Sequence, residues 1–125
     1  MPIYVAIAIG GAFGAVIRYW LSTSMEHLNG STFPLGTFSV NVFGSFLMGA
    51  LFILFMEKAE LIAAYRPLLA IGFLGAMTTF STFSLDALLL FQQGHYNTAL
   101  FYVLSSVIIC IFAVYFGMLL ARAVL

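Results

Sequence analysis

The chain has 125 residues, of which 64% are apolar and only 6% are charged, and its four basic and four acidic residues cancel to a net charge of zero. A soluble domain typically carries about 25% charged residues, so this composition predicts a chain whose solvent is lipid. The zero balance argues against nucleic-acid binding, because neutralising a phosphate backbone needs clustered Lys and Arg. The single cysteine, Cys110, excludes an internal disulfide and a cysteine-based zinc site.

Four stretches are long and apolar enough to cross a bilayer, which takes roughly 20 residues at about 1.5 Å rise per residue. We expect a single all-α domain with four transmembrane helices, at about residues 3–22, 35–56, 67–91 and 98–122. The first stretch lacks the positive flank of a cleaved signal peptide and is too long for one. Four helices alone bury little surface, so oligomerisation is expected. The chain has no nucleophile-and-base arrangement and no cluster with metal-ligand spacing, so we do not expect an enzyme.

Lys and Arg near the helix ends predict orientation, because cytoplasmic loops are richer in them. Three of these residues fall on the side shared by both termini, namely Lys58, Arg66 and Arg122. Arg18 alone lies towards the other side. This bias favours both termini in the cytoplasm and does not by itself indicate insertion in two orientations.

Polar and small residues recur every four positions in all four stretches, so each predicted helix carries one such stripe. The stripes are Gly10, Gly14 and Arg18; Thr37, Asn41, Ser45 and Gly49; Thr78, Thr82 and Asp86; and Tyr102, Ser106 and Cys110. Glycine and serine at this spacing are the residues through which membrane helices pack closely. We interpret Gly10 with Gly14, and Ser45 with Gly49, as such packing faces.

Three side chains are too polar to be explained by packing alone. The amide of Asn41 needs partners for both its oxygen and its nitrogen inside a membrane. Arg18 either snorkels to the interface or lines an aqueous vestibule for an anion. For Asp86, pairing with Arg18, capping a turn, binding a cation and carrying a proton remain open alternatives.

The third stretch carries Gly75 and the pair Thr78-Thr79 where a membrane helix should be most regular. Glycine costs about 1 kcal/mol relative to alanine in a helix, and threonine hydroxyls compete for backbone carbonyls. We therefore expect a helix break over residues 75–79 near mid-membrane, with freed carbonyls able to coordinate a cation. Phe80 and Phe83 follow on one face, and the positive edges of their rings suit a small anion.

Three motifs resemble a single family along nearly the whole chain. They are GGAFGAVIRY at residues 10–19, GTFSVNVFGSF at residues 36–46 and GFLGAMTTFSTFS at residues 72–84. In this order, and in a four-helix chain, they resemble the Fluc (CrcB) fluoride channels of bacteria. The resemblance implies an antiparallel, dual-topology homodimer in the inner membrane. Its two pores would export F⁻ passively and so relieve fluoride toxicity.

The resemblance also implies site residues. Backbone carbonyls of Gly75 and Thr78 from both subunits would hold a structural Na⁺ at the dimer interface. The residues expected along the fluoride pathway are two rings, an amide, several hydroxyls and two charges, namely Phe80, Phe83, Asn41, Ser81, Thr82, Thr37, Tyr102, Ser106, Arg18 and Asp86. Two positions depart from the family. It often has Glu in place of Asp86, and Cys110 replaces a hydroxyl residue of the fourth-helix track.

Two other classes of protein fit the sequence less well. Small proton-coupled exporters of cationic drugs also form four-helix dimers, but they usually need a membrane-embedded Glu in the first helix. That helix here has Arg18 and no acid. A purely structural membrane subunit would tolerate polar substitutions at Asn41 and Phe83. Measuring fluoride efflux from liposomes separates the three classes.

Overall fold

The computed structural model describes residues 2–125 and is built from helices alone over that range. The helices in chain order are α1 (Ile3–Leu28), α2 (Leu35–Glu57), α3 (Ala59–Ile62), a 3₁₀ turn (Ala63–Tyr65), a π-helix (Pro67–Leu74), α4 (Gly75–Met77), α5 (Phe80–Gln92) and α6 (Tyr96–Val124). Four segments are long and apolar enough to cross a membrane: α1, α2, α6 and the stretch Pro67–Gln92. The chain is therefore an all-α, multi-pass membrane protein.

Helix α1 continues to Leu28, six residues beyond the limit expected from hydropathy. In this extension the Thr23 hydroxyl is bonded within the helix, since it donates to the Tyr19 carbonyl at 2.7 Å. Glu26 then joins α1 to α2, because its Oε1 accepts the backbone N–H of Gly36 at 2.6 Å. A carboxylate at the first turn of a helix stabilises the unpaired N–H groups there. The loop between α1 and α2 is consequently shorter than residues 23–34.

The third segment changes its hydrogen-bonding pattern twice. It begins with Pro67 as a π-helix, in which the N–H of Gly75 reaches the carbonyl of Ala70. After the single α-helical turn α4, Thr78 and Thr79 are extended, with φ/ψ of −83°/152° and −148°/118°, and helical geometry resumes at Phe80. We expected the break to begin at residue 75, but it begins at Thr78, because Gly75 is itself helical at φ −61° and ψ −35°.

Close approach of the helices depends on glycine at two interfaces. A Cβ on Gly10 or Gly14 would overlap the backbone carbonyls of Leu68 or Phe73 in the π-helix. A Cβ on Gly49 of α2 would likewise overlap a backbone carbonyl of α6. The packing interpretation is confirmed for these three glycines. Large apolar side chains cover the outside of the long helices, as expected for surfaces facing lipid or another membrane chain.

Candidate functional site

The break after α4 is held by the side chain of Asn41. Its Nδ2 donates to the Thr79 carbonyl at 3.0 Å, and its Oδ1 accepts the Thr79 N–H at 2.7 Å. The amide therefore satisfies both polar backbone groups of one extended residue, which would otherwise be unpaired inside the chain. The oxygen and the nitrogen of the Asn41 amide thus both find partners in the backbone of Thr79. It also leaves the second N–H of Nδ2 for another acceptor.

The break diverts the N–H groups that an uninterrupted helix would give to carbonyls four residues earlier. The N–H of Thr79, the normal partner of the Gly75 carbonyl, donates to Asn41 instead. The N–H of Thr82, the normal partner of the Thr78 carbonyl, donates to the Thr79 hydroxyl at 3.2 Å. Thr79 is thus the N-cap of α5, in the role that threonine commonly plays at helix starts. The carbonyls of Gly75 and Thr78 are therefore among those that lose their usual donors at the break.

Arg18 contacts the same break from α1. Its Nε donates to the carbonyl of Ala76 at 3.0 Å, at the end of α4. A cation at a helix C-terminus is favourable, because the last carbonyls carry partial negative charge. Arg18 and Asp86 do not pair in the structure, which removes one of the alternatives left open above. Asp86 instead accepts the hydroxyl proton of Tyr102 at 3.2 Å.

A cavity of about 300 Å³ lies beside the break, between α2, α5 and α6, and we call it the Phe80 cavity. Its wall is formed by Asn41, Ser45, Thr78, Thr79, Phe80, Phe83, Ser106, Val107, Cys110 and Ile111. Two aromatic side chains, an amide residue and several hydroxyl residues therefore border one space. These are the groups that sequence analysis singled out as suited to a small anion.

The Ser106 hydroxyl is the most informative group on this wall. Ser106 is only 6% exposed, and its Oγ is buried without a hydrogen-bond partner in the part of the chain that the structure describes. Burying a hydroxyl without a partner is costly. Ser106 is thus a buried polar residue at the edge of the cavity whose hydroxyl no group of the described residues bonds.

Aromatic rings run in a row from the Phe80 cavity towards the other end of α5. The ring centroids of Phe80 and Phe83 are 5.5 Å apart, those of Phe83 and Tyr102 are 5.1 Å apart, and those of Tyr102 and Phe33 are 5.3 Å apart in an edge-on arrangement. Tyr102 is fully buried, whereas Phe80 is 78% exposed on the single chain. Offset and edge-on contacts at these spacings are favourable for aromatic pairs.

A second cavity of about 340 Å³ lies near the start of α2, and we call it the Asp86 vestibule. Its wall is formed by Ser22, Thr23, Glu26, Thr32, Phe33, Pro34, Gly36, Thr37, Asp86, Leu89, Leu90 and Gln93. Tyr102 lies between the two spaces, because its ring contacts Phe83 on the wall of one and its hydroxyl donates to Asp86 on the wall of the other. Two carboxylates at one mouth give this vestibule an acidic character.

Comparison with known proteins shows the family. A family model described as "CrcB-like protein, Camphor Resistance (CrcB)" matches residues 5–118. The chain belongs to the CrcB family. It is 49% identical over 118 residues to a fluoride-specific ion channel FluC of Magnetococcus marinus, covering 94% of this chain and 96% of that protein.

Two further relatives carry the same name. The protein of Hahella chejuensis is 46% identical over 125 residues, covering 100% of this chain and 98% of its own length. The protein of Methylococcus capsulatus is 50% identical over 117 residues, covering 94% of this chain. Our chain spans about half the length of that protein, since 51% of it is covered.

The structure distributes the predicted site residues of this CrcB-family chain over three places. The Phe80 cavity has Asn41, Phe80, Phe83 and Ser106; the vestibule has Thr37 and Asp86, with Tyr102 between the two spaces. Three others gather at the break rather than on a cavity wall. Arg18 contacts the Ala76 carbonyl, while Ser81 and Thr82 cluster with the Thr79 hydroxyl at 3.2 Å each.

Two contributors were missed in the sequence. Thr79 caps α5, and the signal was present, because a threonine directly before a helical run is a common N-cap. Phe33 completes the aromatic row, but it lies in the loop before α2, where no periodic pattern marks a buried ring.

Proposed function

We propose that this protein is a passive, fluoride-selective ion channel of the bacterial inner membrane that exports F⁻ and so relieves fluoride toxicity. The observation that carries the proposal is the Phe80 cavity, whose lining joins Ser106, with its buried and unpartnered hydroxyl, to Asn41 and two phenylalanine rings. The names of the three relatives, each a fluoride-specific ion channel, support it independently.

The chemistry of the cavity wall supports an anion as the occupant. A hydroxyl and an amide N–H are donors, and aromatic ring edges carry partial positive charge. The Phe80 end of α5 adds the positive end of a helix dipole, which favours anions nearby. Conduction also requires sites weak enough to release the ion, and several modest donors in series meet that requirement better than one strong cation.

The pathway proposed for F⁻ runs through the Asp86 vestibule and past Tyr102 and Phe83 into the Phe80 cavity. Thr37 in the vestibule and Ser106 in the cavity provide hydroxyl donors at either end. Asp86 is the carboxylate of this route that lies next to Tyr102, and the hydrogen bond it accepts from the Tyr102 hydroxyl withdraws part of its charge from a passing anion. Arg18 adds positive charge near the break, beside the Ala76 carbonyl.

A structural Na⁺ held by the carbonyls of Gly75 and Thr78 from two subunits is part of the proposal. The support is that the break diverts the usual N–H partners of both carbonyls to Asn41 and to Thr79. Oxygen ligands suit hard cations, and the C-terminal end of α4 contributes partial negative charge. When bound, the ion would neutralise these carbonyls where two chains meet.

The proposed assembly is an antiparallel homodimer with two pores, inserted in both orientations. A thiol placed at exposed Lys58, by Lys58→Cys in a Cys110→Ser chain, should react with an impermeant reagent from either side of the membrane. Complete reaction from one side only, with none from the other, would contradict insertion in two orientations.

Liposomes that contain the purified protein test the function directly. We expect them to release fluoride and to retain chloride under the same gradient. Phe80→Ile should lower fluoride efflux by roughly a hundredfold, equivalent to about 2.7 kcal/mol of barrier, because the ring edge is lost from the cavity. The matched control is Phe91→Ile, since Phe91 lies on the same helix and stacks on Tyr96 away from both cavities. Equal release of fluoride and chloride, or of neither ion, would overturn the proposal.

A further inference from the structure

Cys110 is the one thiol of the chain, and it lies on the wall of the Phe80 cavity. It sits on α6 one helical turn beyond Ser106, so the two side chains share a face. The thiol is free and partly exposed. Across the cavity are Asn41 and Ser45 of α2.

Ser106 lies on the same wall and is a second observation that points to an occupant of this space. Ser106 is only 6% exposed, and its Oγ lacks a hydrogen-bond partner within residues 2–125. A water molecule takes about 30 Å³ of liquid volume, so a cavity of about 300 Å³ has room for an occupant at Ser106 and for a small group on the neighbouring sulfur.

We propose that Cys110 is a covalent modification site for small, uncharged thiol-reactive electrophiles, and that the adduct closes the pathway. The proposal rests on the function proposed above. A free thiol is only a weak hydrogen-bond donor, so Cys110 leaves the space open in the unmodified chain. An alkylthio group on its sulfur would fill the space in front of Ser106 and replace a polar wall by an apolar one.

The reaction with a methyl thiosulfonate defines the chemistry. The Cys110 thiol loses its proton, and the thiolate attacks the sulfenyl sulfur of methyl methanethiosulfonate. The bond between Cys110 Sγ and the methylthio sulfur forms as the sulfur–sulfur bond of the reagent breaks. Methanesulfinate leaves as the anion with the electron pair of that bond, and the proton of the thiol goes to the buffer. Dithiothreitol reverses the reaction by reducing the mixed disulfide to the two thiols.

The experiment uses the full chain in liposomes and measures two quantities on the same sample. Intact mass gives the fraction of chains that carry one methylthio group, and an electrode gives the fluoride efflux. We expect complete modification and about a tenfold or greater loss of efflux, equivalent to about 1.4 kcal/mol of barrier. Dithiothreitol should restore both readings to their starting values.

Two variants serve as controls. Cys110→Ser, compared with its own efflux before treatment, should be insensitive to the reagent. Adding Ile108→Cys to that variant moves the thiol to an exposed, outward position on α6, where modification should proceed and leave efflux unchanged. Reagent-induced loss of efflux in the chain with only the outward thiol would mean that the adduct acts through the bilayer and would overturn the proposal.

Other outcomes are equally decisive. Complete modification of Cys110 with unchanged efflux, or no modification in liposomes while the denatured chain reacts fully, would overturn the proposal. If unmodified liposomes release no fluoride, the proposed function fails. The mass measurement then still decides whether Cys110 opens onto an accessible cavity.

Discussion

The two halves of the third segment pack in opposite ways. Before the break, the π-helix meets α1 backbone to backbone, because glycines at positions 10 and 14 leave no side chain between the helices. After it, α5 meets α6 through aromatic rings, with Phe83 and Tyr102 at a centroid spacing of 5.1 Å. The contact between the π-helix and α1 leaves no space between the two backbones, whereas the contact between α5 and α6 is bordered by two cavities. The third segment thus forms a tight backbone contact between its π-helix and α1, which we call the closed wall. Its second half, α5, borders the two cavities, and we call this half the cavity side.

The difference follows from what each residue type can tolerate. Backbone contact through glycine fixes the distance between helices, since nothing flexible lies between the two chains. Contacts between large rings instead place side chains, packed offset or edge-on, between the two helices. Asn41 and Thr79 sit where the two kinds of packing meet and hold the extended residues in place. Substitutions in the wall should therefore affect stability, and those on the cavity side should affect transport.

The largest effect is expected in the wall. Gly10→Ala places a methyl group against the backbone carbonyl of Leu68, which cannot turn away as a side chain would. We expect the free energy of unfolding in detergent to fall by about 3 kcal/mol, at the upper end for overpacked sites, with loss of monodisperse protein. Size-exclusion profiles and denaturant titrations measure this.

The neighbouring glycine is the matched control for that substitution. A Cβ on Gly11 has the Gly72 carbonyl as its nearest neighbour, at an ordinary contact distance of 3.9 Å. Gly11→Ala should therefore leave the free energy of unfolding unchanged or raise it by up to about 1 kcal/mol, the helix-propensity advantage of alanine over glycine. Equal stability of the two variants would contradict the description of the π-helix contact as a closed wall.

An intermediate effect is expected where the two kinds of packing meet. Asn41→Leu keeps the size of the side chain but leaves the N–H and the carbonyl of Thr79 without their partners. We expect a loss of about 2 kcal/mol in the free energy of unfolding, from unpaired backbone groups. Fluoride efflux should fall as well, because the break and the cavity wall share this amide.

Asn97, exposed at the start of α6, provides the comparison. Asn97→Ala should leave stability within about 0.5 kcal/mol and efflux unchanged. If Asn41→Leu unfolds as the unmodified chain does, the amide does not hold the break, and the two halves of the segment are independent.

Much of this difference between the two halves of the third segment could be predicted from the sequence. The features that could not be predicted were hidden for physical reasons. Hydropathy predicted four spans, and four-residue spacing predicted the glycine contacts, because both depend on side chains alone. The π-helix was not predicted, since apolar residues lie on every side of that stretch and leave no period to read. The start of the break was placed too early, because glycine permits a bend without requiring one.

The position of Arg18 was beyond sequence reasoning for a different reason. Its partner is a backbone carbonyl, that of Ala76, and any residue type supplies such a carbonyl. No pattern of side chains marks it. The role of Asn41 was half predicted, because an amide in a membrane must find two partners, but its partner Thr79 emerges only once the break is placed.

The smallest effect is expected on the cavity side, at Tyr102. Tyr102→Phe keeps the fully buried ring and removes one hydroxyl bond to Asp86, which borders the open vestibule where water can replace that bond. We expect a loss of about 1 kcal/mol in the free energy of unfolding. Tyr96→Phe, on an exposed tyrosine, should have no effect. Fluoride efflux should also fall, because Tyr102 lies between the two cavities. A stability loss exceeding that of Asn41→Leu would show that this side is packed as tightly as the wall.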